Sequence, residues 1–105
     1  RACGSSSLIP AVNKLGSLPV SLSGSEELKH RYLAPLATGD AMFSYALAEP
    51  AAGADAAGMP TRAVRAGDSW VRNGVTRGIT HAGVSEYYTV MAVTDPDKRS
   101  RGISA

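Results

Sequence analysis

The spacing of apolar residues changes near Ala41, and this change constrains the fold more than any other feature of the sequence. Before it, apolar residues recur at intervals of three and four, as from Leu8 to Leu15, which is typical of a helix with one apolar face. After it, bulky residues alternate with small ones, as from Phe43 to Leu47, which is typical of a strand. We therefore predict an α+β fold in which two N-terminal helices precede an antiparallel β-domain.

The first predicted helix has candidate capping residues at its start and residues that disfavour a helix in its second half. Ser5 to Ser7 offer side-chain oxygens for an N-cap. Gly16 and Pro19 favour a kink or a break, because an interior proline lacks an N–H donor and clashes with the preceding turn.

The second predicted helix has better-defined ends. Either Ser23 or Ser25 can cap its start, and Gly39 is a suitable residue for its C-terminal end. Glu27 and Arg31 are spaced to form an i,i+4 ion pair on its surface.

The strand predicted after Ala41 has one face of small side chains, which includes Ser44, Ala46 and Ala48. Such a face leaves room for a flat group to lie close to the backbone. It equally suits the packing of another strand or helix, and this feature alone favours that packing.

The segment AAGADAAG at residues 51–58 has almost no side-chain bulk. It can be a flexible linker, or a run of amide donors suited to an anionic phosphate. It is not a P-loop, because the Gly-Lys-Ser/Thr ending is missing. It is not a dinucleotide-binding fingerprint either, because Gly53 and Gly58 do not form a G-x-G pattern.

Four further strands are predicted at residues 61–65, 69–72, 75–80 and 87–94, and Asp95-Pro96 ends the last of them. Asn73-Gly74, between the second and third of these strands, is the strongest short hairpin signal in the chain. Consecutive strands joined by tight turns predict an antiparallel meander.

Charge makes nucleic acid an improbable partner. The net charge of +2 is small, and the basic cluster of Lys98, Arg99 and Arg101 predicts a solvated loop and not a groove for phosphate backbones.

Cysteine, histidine and hydropathy exclude further classes. Cys3 is the only cysteine, so no internal disulfide can form, and we expect it to be inert and packed. His30 and His81 lack a second ligand at metal-binding spacing. No apolar run approaches a membrane span and no signal peptide is evident, so a cytoplasmic protein is expected.

Several motifs together resemble one enzyme family. The run YALAEPAAGAD from Tyr45 to Asp55 resembles the acyl-CoA dehydrogenase motif (F/Y)-x-(L/V)-(T/S)-E-P-x-A-G-S-D. VRNG at 71–74 with ITHAG at 79–83 resembles that family's LNG-x-K-x-W-I-T-N-(A/G)-G. GSEELKHRYL at 24–33 and YTVMAVTD at 88–95 are also similar to family patterns, so the resemblance covers nearly the whole chain in order.

The resemblance implies a piece of a larger protein, an expectation with which the abrupt ends of the sequence agree. Residues 1–39 would be the end of the N-terminal helical domain, and residues 40–105 part of the middle β-domain. In the family, FAD lies between the β-domain and a C-terminal helical bundle, so FAD is the implied cofactor. The implied partners of the parent protein are an acyl-CoA substrate and an electron-transfer flavoprotein.

The same resemblance implies which residues face the cofactor. The strand and the following loop would border the flavin and its pyrophosphate through Tyr45, Ala46, Leu47, Ala48, Gly53 and Ala54. Gly78, Ile79 and Thr80 would stand at the isoalloxazine ring, with Thr80 near N5. The position of Ala54 would also touch the acyl-CoA.

The sequence departs from the family pattern at several of these positions. Ala48 and Ala54 replace residues with hydroxyl groups, which removes two hydrogen bonds of about 0.5–1.5 kcal/mol each. Gly78 replaces a tryptophan, Thr76 a lysine and His81 an asparagine. His81 has no evident acid/base partner, so we expect it to be a turn residue.

The implied reaction is α,β-dehydrogenation of an acyl-CoA thioester, in which a carboxylate removes the α-proton while the β-carbon delivers hydride to flavin N5. The family's base is a glutamate of the C-terminal bundle, a region that this chain lacks. Glu49 is expected to be structural, so the isolated chain is predicted to have no turnover. Uncovered sheet edges predict self-association, strand exchange or association with other parts of the parent.

Two alternatives remain open. The parent can be another flavoenzyme of the same architecture, such as an acyl-CoA oxidase, a nitroalkane oxidase or a two-component flavin monooxygenase. The chain can also be a non-catalytic β-rich binding module that has lost flavin, an interpretation that Ala48, Ala54 and Gly78 support.

Overall fold

The structure, a computed structural model, describes residues 3–105, which form two compact units. The helical unit contains the described residues up to Tyr45 together with Thr80–Thr89, and the sheet unit contains Ala46–Ile79 and Val90–Ala105. The domains predicted at 1–39 and 40–105 concern the parent protein and stay a prediction. Residues 1 and 2 of the first predicted domain lie outside the described residues.

The described part of the chain contains two α-helices and six short strands, joined by turns and 3-10 segments. The helices are α1 at Gly4–Ser23 and α2 at Glu26–Thr38. The strands are β1 at Phe43–Ala46, β2 at Arg62–Ala66, β3 at Ser69–Asn73, β4 at Tyr87–Val90, β5 at Ala92–Val93 and β6 at Ile103–Ser104. Neither helix in the described part of the chain is long and apolar enough to cross a membrane.

Helix α1 is one continuous helix that includes Pro10 and Pro19, so the predicted break does not occur. Each interior proline costs about 3 kcal/mol of helix stability, so packing must hold the helix together. The prediction that Ser5 to Ser7 cap the helix was also wrong. Cys3 is the N-cap and these serines lie inside the first turns, where Ser7 Oγ donates to Gly4 O at 2.7 Å.

Cys3 is exposed at the start of α1, so the expectation of a packed thiol was wrong. The helix begins at the next residue, which leaves the Cys3 side chain outside its packed face. The backbone amide of Ser6, followed by the Ser6 side chain, lowers the pKa of the Cys3 thiol.

Contacts around Gly16 hold α1 to the strands of the helical unit. A Cβ atom at Gly16 would lie 2.7 Å from Phe43 Cβ, so only glycine allows this close approach. Thr89 Oγ1 donates to Gly16 O at 2.6 Å, and Phe43 N donates to Asn13 Oδ1 at 2.8 Å. These packing and polar contacts explain why the helix remains intact despite its prolines.

Helix α2 begins and ends as the sequence predicts. Ser25 Oγ accepts a hydrogen bond from Leu28 N at 3.2 Å, and Gly39 ends the helix with a positive φ of 84°. Ser23 belongs to α1 instead. The predicted Glu27–Arg31 pair does not form within the described residues, where the pair on this helix is Glu26–Lys29 at 2.9 Å.

An aromatic cluster forms part of the core of the helical unit. The ring of Tyr87 lies 5.0 Å from Tyr32 in an edge arrangement and 5.3 Å from Phe43. Because Tyr32 lies on α2 and Phe43 on β1, the cluster ties the second helix to the strand that follows it.

The sheet unit contains a four-stranded sheet in the order β3-β2-β5-β6. The β2–β3 and β5–β6 pairs are antiparallel, and β2 pairs with β5 in parallel through Arg62 and Val93. The predicted α+β class is confirmed, because two helices precede a sheet domain. The sheet is mixed and not purely antiparallel, because a long connection separates β2 from β5.

The hairpin predicted at Asn73-Gly74 was wrong, and residues 75–79 form no strand. A type I′ turn needs a positive φ at both central residues. Among the described non-glycine residues only His81 and Arg99 have a positive φ, so Asn73 does not, and Gly74 is nearly extended at φ 159°. Gly74 instead packs on Thr61, whose Oγ1 and Cβ a side chain at residue 74 would overlap.

The strand predicted at 87–94 is divided at Met91 into β4 and β5. Met91 N donates to Ala46 O at 3.0 Å, whereas Val93 N donates to Thr61 O at 2.9 Å. The backbone groups of the two halves therefore form hydrogen bonds with different segments, which explains why the strand is interrupted at Met91.

The basic cluster near the end of the chain is a solvated loop, as predicted. Residues 98, 99 and 101 are exposed, and Lys98 Nζ lies 2.8 Å from Asp95 Oδ2. The hydrogen bond from Lys98 lowers the pKa of Asp95. Because both side chains meet solvent, this pair adds little to stability.

We predict that Gly16→Ala destabilises the chain although alanine is the better helix former. The new methyl group would overlap Phe43, and such overpacking costs about 1–3 kcal/mol, against a gain in helix propensity of about 1 kcal/mol. Urea unfolding followed by far-UV circular dichroism measures the free energy of unfolding.

Gly4→Ala is the matched control, because no heavy atom of residues 3–105 lies within 4 Å of a Cβ built at Gly4. We expect its free energy of unfolding to change by no more than about 0.5 kcal/mol. An equal or larger loss of stability in Gly4→Ala would contradict the role assigned to the Gly16 contact.

Candidate functional site

A tight turn follows β1 in the sheet unit and begins the predicted phosphate-binding loop. Glu49 and Ala52 exchange both backbone hydrogen bonds, with N–O distances of 3.4 and 3.2 Å. Pro50 and Ala51 form the two-residue bend between them, where the fixed φ of proline suits a turn. A short 3-10 segment, Ala56–Gly58, completes the loop before β2.

Gly53 and Ala54 present their backbone to solvent in this loop. Both residues are exposed, and a Cβ at Gly53 would meet nothing within 4 Å. Within residues 3–105 their amide N–H groups donate to no protein acceptor. Successive N–H groups without side-chain bulk are donors of the kind that an anion binds. The loop therefore has the donor set that a pyrophosphate group needs.

Arg77 connects the start of this loop to the second segment that the sequence assigns to the cofactor, residues 78–80. Its backbone N donates to Ala48 O at 2.8 Å, which places Gly78 and Ile79 directly after a residue bonded to the end of the first segment. Gly78 is exposed and has a φ of 68°, a conformation in which other residues are strained. Glycine thus suits this position by its backbone alone.

Side chains of the predicted residues in the sheet unit differ in exposure. Ala48 is exposed, Leu47 and Ile79 are half-buried, and Ala46 is 3% exposed. The Ala46 side chain therefore packs inside the protein, in agreement with the packing interpretation of the small strand face.

The helical unit contains the remaining predicted residues, Tyr45 and Thr80. Ser44 is completely buried, and its Oγ donates to Thr80 O at 2.8 Å and lies 2.9 Å from Ser85 Oγ. This places the backbone of Thr80 beside the residue that precedes Tyr45, while the side chain of Thr80 stays exposed. The Thr80 N–H donates to no acceptor among the described residues.

His81 is a turn residue, as the sequence predicts. Its φ is 65°, and its carbonyl accepts hydrogen bonds from Val84 N and Ser85 N at 3.0 Å each. The ring Nδ1 lies 3.4 Å from Phe43 O. Histidine and asparagine both tolerate this left-handed conformation better than most residues, which accounts for either residue at this turn.

Three residues that hold the site together were not identified from the sequence. Ser44 anchors Thr80, Thr61 N donates to Glu49 Oε1 at 3.2 Å, and Gly74 packs on Thr61. A serine in the middle of an apolar strand was the only local signal among them. The contacts of Thr61 and Gly74 join distant segments, so spacing along the chain does not reveal them.

Among residues 3–105 no three histidine, cysteine, aspartate or glutamate side chains are grouped closely enough to hold a metal ion.

Comparison with known proteins gives a consistent result. The family model of the acyl-CoA dehydrogenase middle domain matches residues 44–105. A probable acyl-CoA dehydrogenase of Mycobacterium leprae, fadE25, is 59% identical over 105 residues, which are all of this chain and 27% of that protein. Subunit CarC of the caffeyl-CoA reductase-Etf complex of Acetobacterium woodii is 45% identical over 93 residues, 89% of this chain and 24% of that protein.

A solved structure agrees at the level of the fold. The crystal structure of acyl-CoA dehydrogenase from Geobacillus kaustophilus matches with a TM-score of 0.85 and 34% identity, over 96% of this chain and 27% of that one. The chain thus spans about a quarter of the length of the relatives it matches. On its sequence, its fold and its motifs, this chain belongs to the acyl-CoA dehydrogenase family.

Proposed function

We propose that this chain supplies part of the FAD site of an acyl-CoA dehydrogenase. The observation that carries the proposal is the exposed bend at Gly53 and Ala54, whose N–H groups donate to no acceptor among residues 3–105. Such donors suit the pyrophosphate of FAD, and the family generally binds FAD.

The ring-facing part of the proposed site uses backbone as well. Tyr45, Leu47 and Ala48 would border the flavin from the first segment, and Gly78, Ile79 and Thr80 from the second. The bond from Arg77 N to Ala48 O supports this assignment within the sheet unit. The bond from Ser44 to Thr80 O supports it within the helical unit.

The proposed reaction of the whole protein is α,β-dehydrogenation of an acyl-CoA thioester. The α-proton passes to a carboxylate base and a hydride leaves the β-carbon. The substrate thereby becomes an enoyl-CoA. When bound, FAD supplies the acceptor for that hydride. Ala54 would contact the acyl-CoA at the edge of the site.

Glu49 is not the base in this proposal. It is 5% exposed, and its Oε1 accepts the backbone N–H of Thr61, so it has no path to a substrate proton. We assign the base to the part of the relatives that this chain does not cover. The isolated chain should accordingly show no turnover of acyl-CoA with an artificial electron acceptor, even when FAD is added.

Partners and location follow from the same proposal. The whole protein would take acyl-CoA as substrate and pass electrons to an electron-transfer flavoprotein, which is supported by the similarity to a subunit of an Etf complex. We place it in the cytoplasm, with the single cysteine as the supporting observation.

A second candidate is a β-rich module that has lost flavin. Ala48 and Ala54 favour it, because neither can donate a side-chain hydrogen bond to a cofactor. An oxidase or monooxygenase of the same architecture would have the same backbone site, so this part of the chain does not separate those enzymes. Flavin affinity is the property that distinguishes a retained site from a lost one.

We predict that Ala54→Ser strengthens FAD binding by about 2- to 10-fold, because one hydroxyl hydrogen bond contributes about 0.5–1.5 kcal/mol. Ala48→Thr should have an effect of the same size, and the two together should nearly add. Quenching of FAD fluorescence on titration with the chain measures the dissociation constants.

Ala57→Ser is the matched control, because Ala57 is an exposed alanine of the same loop outside the proposed contacts. Its FAD affinity should equal that of the unchanged chain. Absence of any saturable FAD binding in both the unchanged chain and the Ala54→Ser variant would overturn the retained site and favour the second candidate.

The hairpin of β2 and β3 supports the proposal that the chain associates with itself or with other parts of its parent. Val64 is 61% exposed, Trp70 57% and Val71 50%, and Val64 pairs directly with Val71. Because β3 is an edge of the four-stranded sheet, its outer N–H and C=O groups are available to another strand. Apolar surface beside an open edge favours association.

We predict that Val71→Lys abolishes self-association of the isolated chain, because a lysine on an edge strand opposes strand pairing. Sedimentation velocity over a range of concentrations should show a rising sedimentation coefficient for the unchanged chain and a constant one for the variant. Val84→Lys, at a valine that is 63% exposed in the turn of the helical unit, is the control and should associate normally. A stable monomer of the unchanged chain at all concentrations would contradict this prediction.

A further inference from the structure

Glu49 is a buried carboxyl group that the proposed reaction does not use. It lies between Ala48, whose carbonyl accepts from Arg77 N, and the bend that leads to Gly53 and Ala54. Its own backbone closes that bend with Ala52. A polar group of this kind is costly to bury unless a hydrogen bond compensates it. The N–H of Thr61 supplies that bond at 3.2 Å.

Thr61 contacts three separate segments of the sheet unit, through Glu49, Val93 and Gly74. It is completely buried, its N–H donates to Glu49 and its carbonyl accepts from Val93 N at 2.9 Å. Gly74 lies directly against its side chain. Among residues 3–105, Thr61 Oγ1 is the buried side-chain atom without a hydrogen-bond partner, so its hydroxyl is retained at some cost in stability.

The two segments of the proposed FAD site therefore meet at one buried junction. The phosphate turn, residues 49–54, contacts Thr61 through the Glu49 side chain. The ring-facing segment reaches it through Gly74, three residues before Arg77, and Arg77 in turn bonds to Ala48. Both routes lie within the sheet unit.

We propose that Glu49 is a positioning residue that sets the phosphate turn and the ring-facing segment at the spacing that FAD requires. It acts through Thr61 and does not touch the cofactor. This inference rests on the proposed function, which identifies FAD as the ligand. The effect of Glu49 on the backbone, by contrast, is measured in the chain without ligand. Displacing the Glu49 carboxyl should loosen the bond from Arg77 N to Ala48 O.

The test compares three substitutions at Glu49. Glu49→Gln keeps an Oε1 acceptor in place and should behave like the unchanged chain. Glu49→Asp withdraws the acceptor from Thr61 N by about 1.5 Å, the length of one carbon–carbon bond. Glu49→Ala removes the acceptor. Thr94→Val is the matched control, because it deletes side-chain hydrogen bonds to Gly102 and Ser104 in the same unit and leaves the bond from Val93 N to Thr61 O in place.

Hydrogen exchange of the Arg77 amide in the chain without ligand is the first measurement. At a temperature where all variants are folded, Glu49→Asp and Glu49→Ala should exchange at Arg77 about tenfold faster than Thr94→Val, the size of effect that loss of one hydrogen bond gives. A purely structural role would raise exchange by similar amounts in all destabilised variants. Equal Arg77 exchange in Glu49→Asp and Thr94→Val would overturn the inference.

FAD affinity is the second measurement. Glu49→Asp should weaken FAD binding by about tenfold and shift the flavin absorbance band, while Glu49→Gln and Thr94→Val should not. Lack of FAD binding in the unchanged chain, together with faster Arg77 exchange in Glu49→Asp, would refute the proposed function and leave the positioning of the two segments standing. Unchanged FAD affinity in a folded Glu49→Asp would refute the positioning role itself.

Discussion

The hydrogen bond from Arg77 N to Ala48 O determines the course of the chain between the hairpin and the turn at His81. It directs residues 75–79 to Ala48, and they do not continue the sheet beside β3. The close approach of Gly74 to Thr61 makes this course possible, because any side chain at residue 74 would collide with Thr61. Within the sheet unit, these two contacts hold the residues that precede Gly78 to Ala48 and to Thr61.

Sequence patterns predicted the elements that local chemistry determines. The cap at Ser25 and the left-handed Gly39 follow from their own side chains and φ angles, and both formed as expected. The β2–β3 hairpin also formed, because its turn at Gly67 and Asp68 is local. The predictions failed where a distant contact competes with a local preference. Asn73-Gly74 has the composition of a hairpin turn, yet Thr61, more than ten residues earlier, determines its conformation.

Helix α1 illustrates the same competition in the opposite direction. Pro19 weakens the helix locally, and Gly16 lowers its intrinsic propensity, so the sequence predicts a kink or a break. In the structure Gly16 is the residue that lets the helix lie against Phe43, and its carbonyl accepts a bond from Thr89. The glycine that weakens the isolated helix thus stabilises the packed one. Sequence spacing gives no indication of this, because Thr89 is 73 residues away.

The residues of the candidate site stand out in the sequence and stay a prediction, whereas the residues that support them do not stand out, and the reason lies in what each group does. A loop rich in alanine and glycine is recognisable from its composition, and on the proposed function its lack of side chains leaves the N–H groups of Gly53 and Ala54 open to the cofactor. Replacement of a serine by Ala54 removes one hydroxyl and leaves those N–H groups in place. On the proposed function, the residues that decide whether FAD binds are then those that shape the backbone, among them Glu49 and Thr61, although neither would contact the cofactor. A site built on backbone donors therefore tolerates changes at the residues that face the ligand better than changes at the buried residues that hold its path.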